Sequence, residues 1–474
     1  MLFCQKSKKI KAESFGGFCL FAYLCTENKW FVIYKIVKMR FYDREREIEE
    51  LQRIDRLSET TAQFTVLMGR RRTGKTTLMT KAFEERKYLY FFIGKKAEQM
   101  QCASFQQQTE QVLGLHIHGQ VTRICALIEE IMVFSRQQQV TVIIDEFQRL
   151  ADLDDSIISS LQEVWDKHHN QARIHLIACG SIYSMMKHIF EDRKEPLFGR
   201  KTARIDLKPF STAVLKQILA DHHPDYTSED LLMLYAITGG VAKYVAQLMD
   251  EGCKTWENMI SAVCRQSSIF IEEGTELLVG EFGRKYQVYY SILQLIANGM
   301  TSQAQIDSII QKNSGRYLDT LENEYSLIHK RRPMWAKPNS QGVKFYIDDC
   351  FLMFWFRFIE SNRSLVELGK FDLLAELISK EYAQYSGVVL EKYFRQLYGE
   401  QERVTNVAAW WDSQGENEID LIALQSIDKR ATVAEVKRNA RKYDPVLLEQ
   451  KYQNIKGHLR GYHVELRGLS MDDM

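Results

Sequence analysis

The sequence predicts an α/β protein, with a mainly parallel sheet covered by helices on both faces, then a helical region, then a second α/β unit. Three observations support this prediction. Short apolar runs at 64–68, 87–94, 140–145 and 174–180 alternate with helical patterns, which is typical of a parallel sheet. From residue 206 the pattern turns helical, and the C-terminal part of the chain returns to strand-like segments.

The composition is that of an ordinary globular protein. The 474 residues are 45% apolar and 26% charged, with a net charge of +1, and this length suggests about three domains. The near-neutral charge gives no global attraction to nucleic acid or membrane, so any basic surface must be local. The nine cysteines have no metal-ligand spacing, which indicates reduced thiols in a cytoplasmic protein.

Residues 1–38 differ from the rest of the chain. A basic start precedes the apolar run FGGFCLFAYLC, which is too short to span a bilayer and has no small-residue cleavage site after it. We therefore expect no membrane partner. The segment is interpreted as an N-terminal extension, either from an over-extended start site or as a loosely attached tail.

A glycine-bearing turn follows the first strand. Residues 69–76 read GRRRTGKT and fit the pattern G-x-x-x-x-G-K-[ST] between a strand and a helix. In this motif, loop N–H groups and the helix start hold phosphate oxygens, Lys75 reaches the β- and γ-phosphates, and the Thr76 hydroxyl binds Mg²⁺. We predict an ATP site formed by Gly69, Arg70, Arg71, Arg72, Thr73, Gly74, Lys75, Thr76 and Thr77.

Two acids end the third strand of this unit. VTVIID (140–145) finishes on Asp145, and Glu146 follows directly. Asp145 is expected to hold the Mg²⁺ shell together with Thr76. Glu146 is expected to accept a proton from the attacking water, which favours ATP hydrolysis over binding alone.

These motifs resemble the archaeal-type AAA+ ATPases, which are P-loop NTPases related to the STAND class. The matching segments are FYDRE (41–45), GRRRTGKTT, VIIDEFQRL, ACGSIYSMM (178–186), PLFGRKTARIDLKPF (196–210) and ITGGVAKY (237–244). The resemblance covers roughly residues 39–250. It implies a P-loop ATPase core at 39–205 and a helical lid at 206–280.

The same resemblance implies further site residues. Ser181, at the end of the fourth strand, would be a sensor-like polar group near the γ-phosphate. Arg200 in LFGR would be an arginine finger, and its alternative is a salt-bridged surface arginine. Gly239 and Gly240 would begin a sensor-2-like helix, although Ala242 stands where a proline is usual. A homo-oligomer is also expected.

Residues 281–340 resemble a winged helix. In a DNA-binding interpretation, SGRYLDTLENEYSLI is the recognition helix and HKRRP the wing. However, that helix carries Asp319, Glu322 and Glu324, and acidic residues repel phosphate. A structural or protein-contact role is therefore favoured, although HKRRP could still contact a DNA backbone. The aromatic segment KFYIDDCFLMFWFRFIE (344–360) is predicted to be core packing.

The stretch EIDLIALQSIDKRATVAEVK (418–437) is predicted to form two antiparallel strands. If Leu424 faces Ala431, then Asp420 faces Glu435. Their side chains lie on one face of the sheet, together with those of Glu418 and Lys437. Like charges placed opposite each other are unfavourable, and a divalent cation between them would remove that penalty. In the same register Glu418 faces Lys437, which predicts an ordinary cross-strand ion pair.

The surrounding elements resemble the PD-(D/E)XK nuclease-like fold, here assigned to residues 341–474. The expected order is a helix, three strands, a helix and a strand, and Glu391 lies at the edge of the apolar face of the first helix. The resemblance implies that Glu391, Asp420 and Glu435 hold Mg²⁺ and that Lys437 assists the hydrolytic water.

The sequence therefore predicts an ATP- and Mg²⁺-dependent ATPase whose C-terminal nuclease-like domain acts on DNA under ATP control. The alternative is an ATP-dependent regulatory switch in which the C-terminal domain is an inactive interaction module. The complete set of acids favours cleavage, whereas the near-neutral charge favours the switch.

Overall fold

The computed structural model describes residues 39–282, 286–337, 342–412 and 416–474, together with a two-stranded pair, β1 (Ala22–Tyr23) and β2 (Phe31–Val32). Apart from that pair, the predicted N-terminal extension lies outside the described residues. Within the described ranges, no helix is both long and apolar enough to cross a membrane. The six cysteines of these ranges are buried free thiols.

The first unit alternates strands and helices as predicted. Its elements are α1 (Glu45–Leu57), β3 (Gln63–Met68), α2 (Lys75–Ala82), β4 (Leu89–Phe92), α3 (Glu98–Leu113), α4 (Ile124–Phe134), β5 (Val140–Asp145), α5 (Leu150–Leu153), α6 (Ser156–His168), β6 (Ile174–Gly180), α7 (Tyr183–Glu191) and β7 (Ala203–Asp206).

These strands form a five-stranded, fully parallel sheet in the order β4-β5-β6-β3-β7. All residues of β5 and β6 are buried, because helices cover both faces. Strand β6 lies between β3 and β5, so the carboxyl ends of the three strands meet at one edge. The glycine-bearing turn, Asp145 and Ser181 follow those ends.

A helical lid continues the chain. It comprises α8 (Thr212–His222), α9 (Ser228–Thr238), α10 (Ala242–Asp250), α11 (Trp256–Val263) and α12 (Phe270–Phe282). Gly239 and Gly240 separate α9 from α10 with φ of 54° and 80°, and a Cβ at Gly240 would collide with the Phe210 carbonyl. The start of α10 lies over the glycine-bearing turn, since Lys243 N–H donates to the Arg72 carbonyl at 3.2 Å.

Three helices and a hairpin come next. They are α13 (Tyr286–Ala297), α14 (Gln303–Ile310), α15 (Gly315–Asn323), β8 (Ile328–Arg331) and β9 (Lys344–Ile347), and β8 pairs with β9 in antiparallel fashion. The boundary expected at residue 340 therefore falls inside a hairpin. The first strand of the hairpin contains the His-Lys-Arg part of HKRRP.

The aromatic segment lies in the core, as predicted. It forms α16 (Cys350–Phe354) and a π-helical turn (Trp355–Ile359), and its aromatic side chains Phe351, Phe354, Trp355, Phe356 and Phe358 are at most 1% exposed. A single apolar core joins this segment to the lid, the three helices and one face of the C-terminal sheet. The lid and the C-terminal part are therefore packed as one body.

The last elements are α17 (Arg363–Glu367), α18 (Phe371–Gly399), β10 (Asn406–Trp411), β11 (Glu418–Gln425), β12 (Arg430–Val436), α19 (Pro445–Gln453) and β13 (His463–Leu469). This is the predicted order of helix, three strands, helix and strand. The sheet order is β10-β11-β12-β13, with antiparallel pairs except for β12 and β13, which are parallel. Leu424 faces Ala431, which is the predicted register.

Candidate functional site

The glycine-bearing turn is a tight loop that ends in a left-handed residue. Gly74 has a φ of 93° and caps the start of α2, and a Cβ at Gly69 would lie 2.7 Å from the Leu207 carbonyl oxygen. The Lys75 ammonium donates to the carbonyls of Gly69 and Arg70 at 2.7 and 2.9 Å. Burial lowers the pKa of Lys75, although the nearby acids partly offset this effect.

Asp145 collects three donors at the end of β5. Its Oδ2 accepts from the Thr76 hydroxyl at 3.3 Å and from the Tyr90 hydroxyl, and its Oδ1 accepts from the Glu146 N–H at 2.9 Å. A threonine hydroxyl beside a carboxylate at the start of the loop helix is a donor set that fits Mg²⁺. The structure thus brings together the two predicted magnesium ligands of this site.

Glu146 occupies a left-handed backbone conformation, with φ of 56° and ψ of 40°. The Ser181 hydroxyl lies 2.9 and 3.1 Å from its two carboxylate oxygens, and Gln148 Nε2 donates to Oε2 at 2.6 Å. Arg149 Nε is 3.7 Å from Oε2. The predicted base and the predicted sensor residue are therefore in direct contact.

Two arginines of the loop, Arg70 and Arg72, contact other parts of the chain. Arg70 Nη1 is 3.1 Å from Asp349 Oδ2, and its Nη2 donates to the Ser326 carbonyl. Arg72 Nη2 is 2.5 Å from Glu273 and 3.5 Å from Glu276, both on α12. These side chains connect the loop to the lid and to the aromatic segment.

Three predicted loop residues are exposed, and the predicted finger binds elsewhere. The exposed residues are Arg71, Thr76 and Thr77, of which Thr76 also donates to Asp145. Arg200 is bound to Asp166 of α6, with Nη2 to Oδ2 at 3.0 Å, and also donates to the Phe198 carbonyl. In this chain Arg200 is a salt-bridged arginine away from the loop.

The predicted acid cluster of the C-terminal sheet forms, with a lysine inside it. Lys437 Nζ is 3.0 Å from Glu435 Oε1 and 3.6 Å from Asp420 Oδ2, and Lys451 of α19 is 2.9 Å from the same Glu435 oxygen. Burial, followed by the charges of Glu391 and Glu435, raises the pKa of Asp420 to about 7. The other Glu435 oxygen is buried and has no hydrogen-bond partner among the described residues.

Glu391 lies close to this cluster but is held by an arginine. Arg395 Nη1 is 3.4 Å from Glu391 Oε2 and donates to the Asp420 carbonyl at 2.9 Å. Across the described ranges, no three acidic, histidine or cysteine side chains are close enough to bind one metal ion. In this conformation Lys437 contacts both predicted ligands, Asp420 and Glu435, and Glu391 lies next to them.

The ordinary ion pair expected between Glu418 and Lys437 does not form. Glu418 binds Lys344 of β9 at 3.1 Å, whereas Lys437 turns to Asp420 and Glu435. Burial acts to lower the pKa of Lys437, but the two carboxylates outweigh burial and raise it. The lysine therefore belongs to the acid cluster.

The basic residues of the hairpin are already paired. Lys330 binds Glu322 at 2.6 Å, His329 is 2.5 Å from Asp348, and the Arg331 guanidinium lies 3.9 Å from the Tyr346 ring centre. Burial, followed by the charge of Arg395, lowers the pKa of Arg331 to about 10, and the side chain is partly shielded from solvent. These contacts fit the favoured structural role of this segment.

Several contact residues were not predicted. Tyr90 and Gln148 contact the two acids of the first site, and Lys451 contacts Glu435. For Lys451 a signal existed, because buried Leu448 lies three residues earlier on α19 and shares its face. Tyr90 lies in β4 and Gln148 in the turn after β5. No periodic pattern in the sequence marks either position as a contact of the two acids.

Two protein families and one relative match parts of the chain. A family described as an ATPase domain predominantly from Archaea matches residues 41–248, and a family described as archaeal and bacterial proteins of unknown function matches residues 355–455. An uncharacterized protein of Methanocaldococcus jannaschii, MJECL04, is 30% identical over 406 residues, which cover 84% of this chain and 87% of that protein.

One solved structure shares the fold at low identity. A Walker-type ATPase of Pyrococcus abyssi aligns with a TM-score of 0.52 and 16% identity, over 68% of this chain and 98% of its own. The ORC2 protein of Aeropyrum pernix aligns with a TM-score of 0.41 and 15% identity, over 72% and 96%. The parallel sheet matches the predicted P-loop ATPase fold. The chain binds and hydrolyses ATP, and it belongs to the archaeal-type P-loop ATPase family that includes MJECL04.

Proposed function

We propose that the chain is an ATPase whose C-terminal sheet carries a divalent-metal centre that cleaves DNA, or RNA, under nucleotide control. The observation that carries this proposal is the contact of Asp420, Glu435 and Lys437 on neighbouring strands. Two acids and a lysine are the groups that a metal-dependent phosphodiesterase needs. The same residues carry the resemblance to PD-(D/E)XK nucleases.

The chemistry of the cluster fits a divalent cation. Asp420 and Glu435 are buried, and one Glu435 oxygen has no hydrogen-bond partner among the described residues. Carboxylate oxygens are the ligands that Mg²⁺ prefers. Asp420 and Glu435 would hold the ion, which would supply Lewis-acid activation of the phosphodiester. Lys437 would then stabilise charge on the phosphate, and release of Glu391 from Arg395 would add a third carboxylate.

At the ATP site each residue has a distinct role. Lys75 binds the β- and γ-phosphates, and Thr76 with Asp145 would hold Mg²⁺, which neutralises phosphate charge. Glu146 accepts the proton of the attacking water. Ser181 donates to Glu146, and in this proposal its hydroxyl senses the γ-phosphate.

Control by the nucleotide follows from contacts that join the two sites. Arg70 of the loop binds Asp349, which caps α16. Arg438, directly after Lys437, binds Glu229 of lid helix α9 at 2.6 Å. Because one core packs the lid against α18 and the sheet, a lid movement on ATP binding would shift the C-terminal cluster as well.

The test uses purified protein with plasmid and linear DNA and with single-stranded RNA, in Mg²⁺ or Mn²⁺, with and without ATP. We expect cleavage by the wild type that is lost in Asp420→Ala and altered in Lys75→Ala. Glu418→Gln is the matched control, because Glu418 lies on the same strand but binds Lys344. If wild type and Asp420→Ala leave every substrate equally intact, the nuclease proposal is wrong.

A second candidate function is an ATP-dependent switch with an inactive C-terminal interaction domain. The observation that favours it is that two lysines, Lys437 and Lys451, already neutralise Glu435. In that case the Lys451→Met variant would still not bind Mn²⁺. Calorimetric titration of Mn²⁺ into wild type, Lys451→Met and Asp420→Ala, all without ATP, separates the two functions.

A further inference from the structure

The base that the proposed function assigns, Glu146, is held by a buried glutamine. Gln148 is fully buried, and its Nε2 lies 2.6 Å from Glu146 Oε2. Ser181 approaches both carboxylate oxygens, but its hydroxyl has only one hydrogen to donate. Arg149 Nε is too distant for a hydrogen bond. The amide of Gln148 is therefore the second close donor to the carboxylate.

The slot for this glutamine is built by the end of β6. A Cβ at Gly180 would collide with Met186 and would lie 2.6 Å from Gln148 Oε1, so only glycine leaves room for the amide. The next residue is Ser181, the other donor. A single strand end thus supplies both the space for one donor and the side chain of the other.

The orientation of the amide follows from charge. If the amide were reversed, its oxygen would face the carboxylate, which accepts hydrogen bonds and donates none when ionised. In the orientation observed, Nε2 donates to Glu146 and Oε1 is buried without a partner in the described part of the chain. Such an unsatisfied buried group is unusual, and it is retained beside the residue that performs the chemistry.

We propose that Gln148 is a positioning residue for ATP hydrolysis, which fixes the orientation of the Glu146 carboxylate. Glu146 has a left-handed backbone and a flexible side chain, so without the amide its carboxylate could rotate about the Ser181 contact. Gln148 therefore holds the base in one orientation.

The test compares Gln148→Met with the wild type in steady-state ATPase assays. Methionine has a similar length but cannot donate a hydrogen bond. We expect kcat to fall about tenfold, with KM for ATP almost unchanged. The melting temperature should stay equal or rise, because the unsatisfied Oε1 is removed.

The matched control is Gln162→Met. Gln162 also donates to a carboxylate, Asp166, at 3.3 Å, but on the surface of α6. It should leave kcat and KM unchanged. If Gln148→Met lowers the melting temperature and raises KM as kcat falls, Gln148 is only a core residue and the inference is wrong.

A third variant separates this inference from the role of Glu146 itself. Glu146→Gln should bind ATP and fail to hydrolyse it. If Glu146→Gln hydrolyses ATP at the wild-type rate, the base assignment is wrong, and the positioning role of Gln148 is overturned with it. If Glu146→Gln is inactive while Gln148→Met keeps the wild-type kcat, only the positioning role is overturned.

Discussion

Arg72 of the phosphate-binding loop forms an ion pair of 2.5 Å with Glu273 of lid helix α12. The Glu273 side chain is 1% exposed. The same carboxylate accepts a hydrogen bond from Tyr244 at 2.8 Å. Next to Glu273, Gly274 packs on the Trp355 ring, where a Cβ would collide with it. The loop is thus fixed to a helix that is itself fixed to the aromatic core.

We expect the Arg72–Glu273 pair to contribute strongly to stability. Removal of one partner leaves a buried charge without compensation. In a double-mutant cycle of Arg72→Met and Glu273→Gln, urea unfolding should give a coupling free energy of about 1–3 kcal/mol. Glutamine preserves the acceptor for Tyr244, so the cycle isolates the ion pair.

The control for this cycle is the Arg53–Glu50 pair of α1, whose side chains are 54% and 42% exposed. Such exposed pairs contribute little because water screens them, and its coupling should be below about 0.5 kcal/mol. Equal coupling in the two cycles would mean that the Arg72 contact is merely a surface pair.

Tyr90 should tune the magnesium site. Its hydroxyl donates to the Asp145 oxygen that also accepts from Thr76. A residue that orients a metal ligand typically changes metal affinity about 10- to 100-fold when it is removed. In Tyr90→Phe, the Mg²⁺ concentration for half-maximal ATPase rate should rise at least about tenfold, with the rate restored at saturating Mg²⁺.

Tyr88→Phe is the matched control for Tyr90. Tyr88 precedes β4, and its ring lies 6.1 Å from that of Phe83. Its variant should keep the Mg²⁺ dependence of the wild type. If Tyr90→Phe leaves the Mg²⁺ dependence of the ATPase rate unchanged, Tyr90 does not tune the magnesium site.

Much of both sites could be predicted because their patterns are local. The glycine spacing, the strand ending on Asp145 and the alternation that sets Asp420 against Glu435 all lie within a few residues. Sheet register follows from that alternation, because a shift by one residue would move apolar side chains out of the core.

The contacts between distant segments could not be predicted in this way. Arg70 meets Asp349, 279 residues later, and no periodicity relates the two positions. The same limit explains why the ion pair expected between Glu418 and Lys437 does not form. Register placed these side chains on one face, but Lys344 from the hairpin competes for Glu418, and two buried carboxylates attract Lys437 more strongly.

Arg200 should act on a neighbouring copy of the chain. Its contacts in this chain are Asp166 and the Phe198 carbonyl, so a role as arginine finger requires a homo-oligomer. An arginine finger typically contributes about 10³–10⁵ in rate, so Arg200→Ala should lose at least about a hundredfold in kcat. Its exposed ion pair should contribute less than about 1 kcal/mol to stability.

Mixing variants tests this role directly. Lys75→Ala subunits cannot use ATP but carry the arginine, whereas Arg200→Ala subunits have an intact loop. A mixture should regain part of the ATPase rate that each variant lacks alone. Asp166→Asn frees Arg200 without removing it and should stay active. If Arg200→Ala alone hydrolyses ATP at the wild-type rate, Arg200 is not an arginine finger and forms only a surface ion pair.

Glu281 should make stability fall as pH rises. Burial raises the pKa of this carboxyl, at the end of α12, from 4.5 to about 7, although Arg70, a hydrogen bond from Ser184 and Lys75 partly offset burial. The folded state therefore binds a proton that the unfolded state releases between about pH 4.5 and 7, so stability is lost as pH rises through that window. The loss amounts to at most about 3 kcal/mol above pH 7.

Glu281→Gln removes the charge that is costly to bury. Its melting temperature should exceed that of the wild type at pH 8 and equal it at about pH 4.5, where the wild-type carboxyl is neutral in the folded state. Glu276→Gln on the same helix is the matched control, because the Glu276 side chain is 58% exposed. Parallel melting curves for wild type and Glu281→Gln from pH 4.5 to 8 would mean that Glu281 stays ionised beside Lys75 and Arg70.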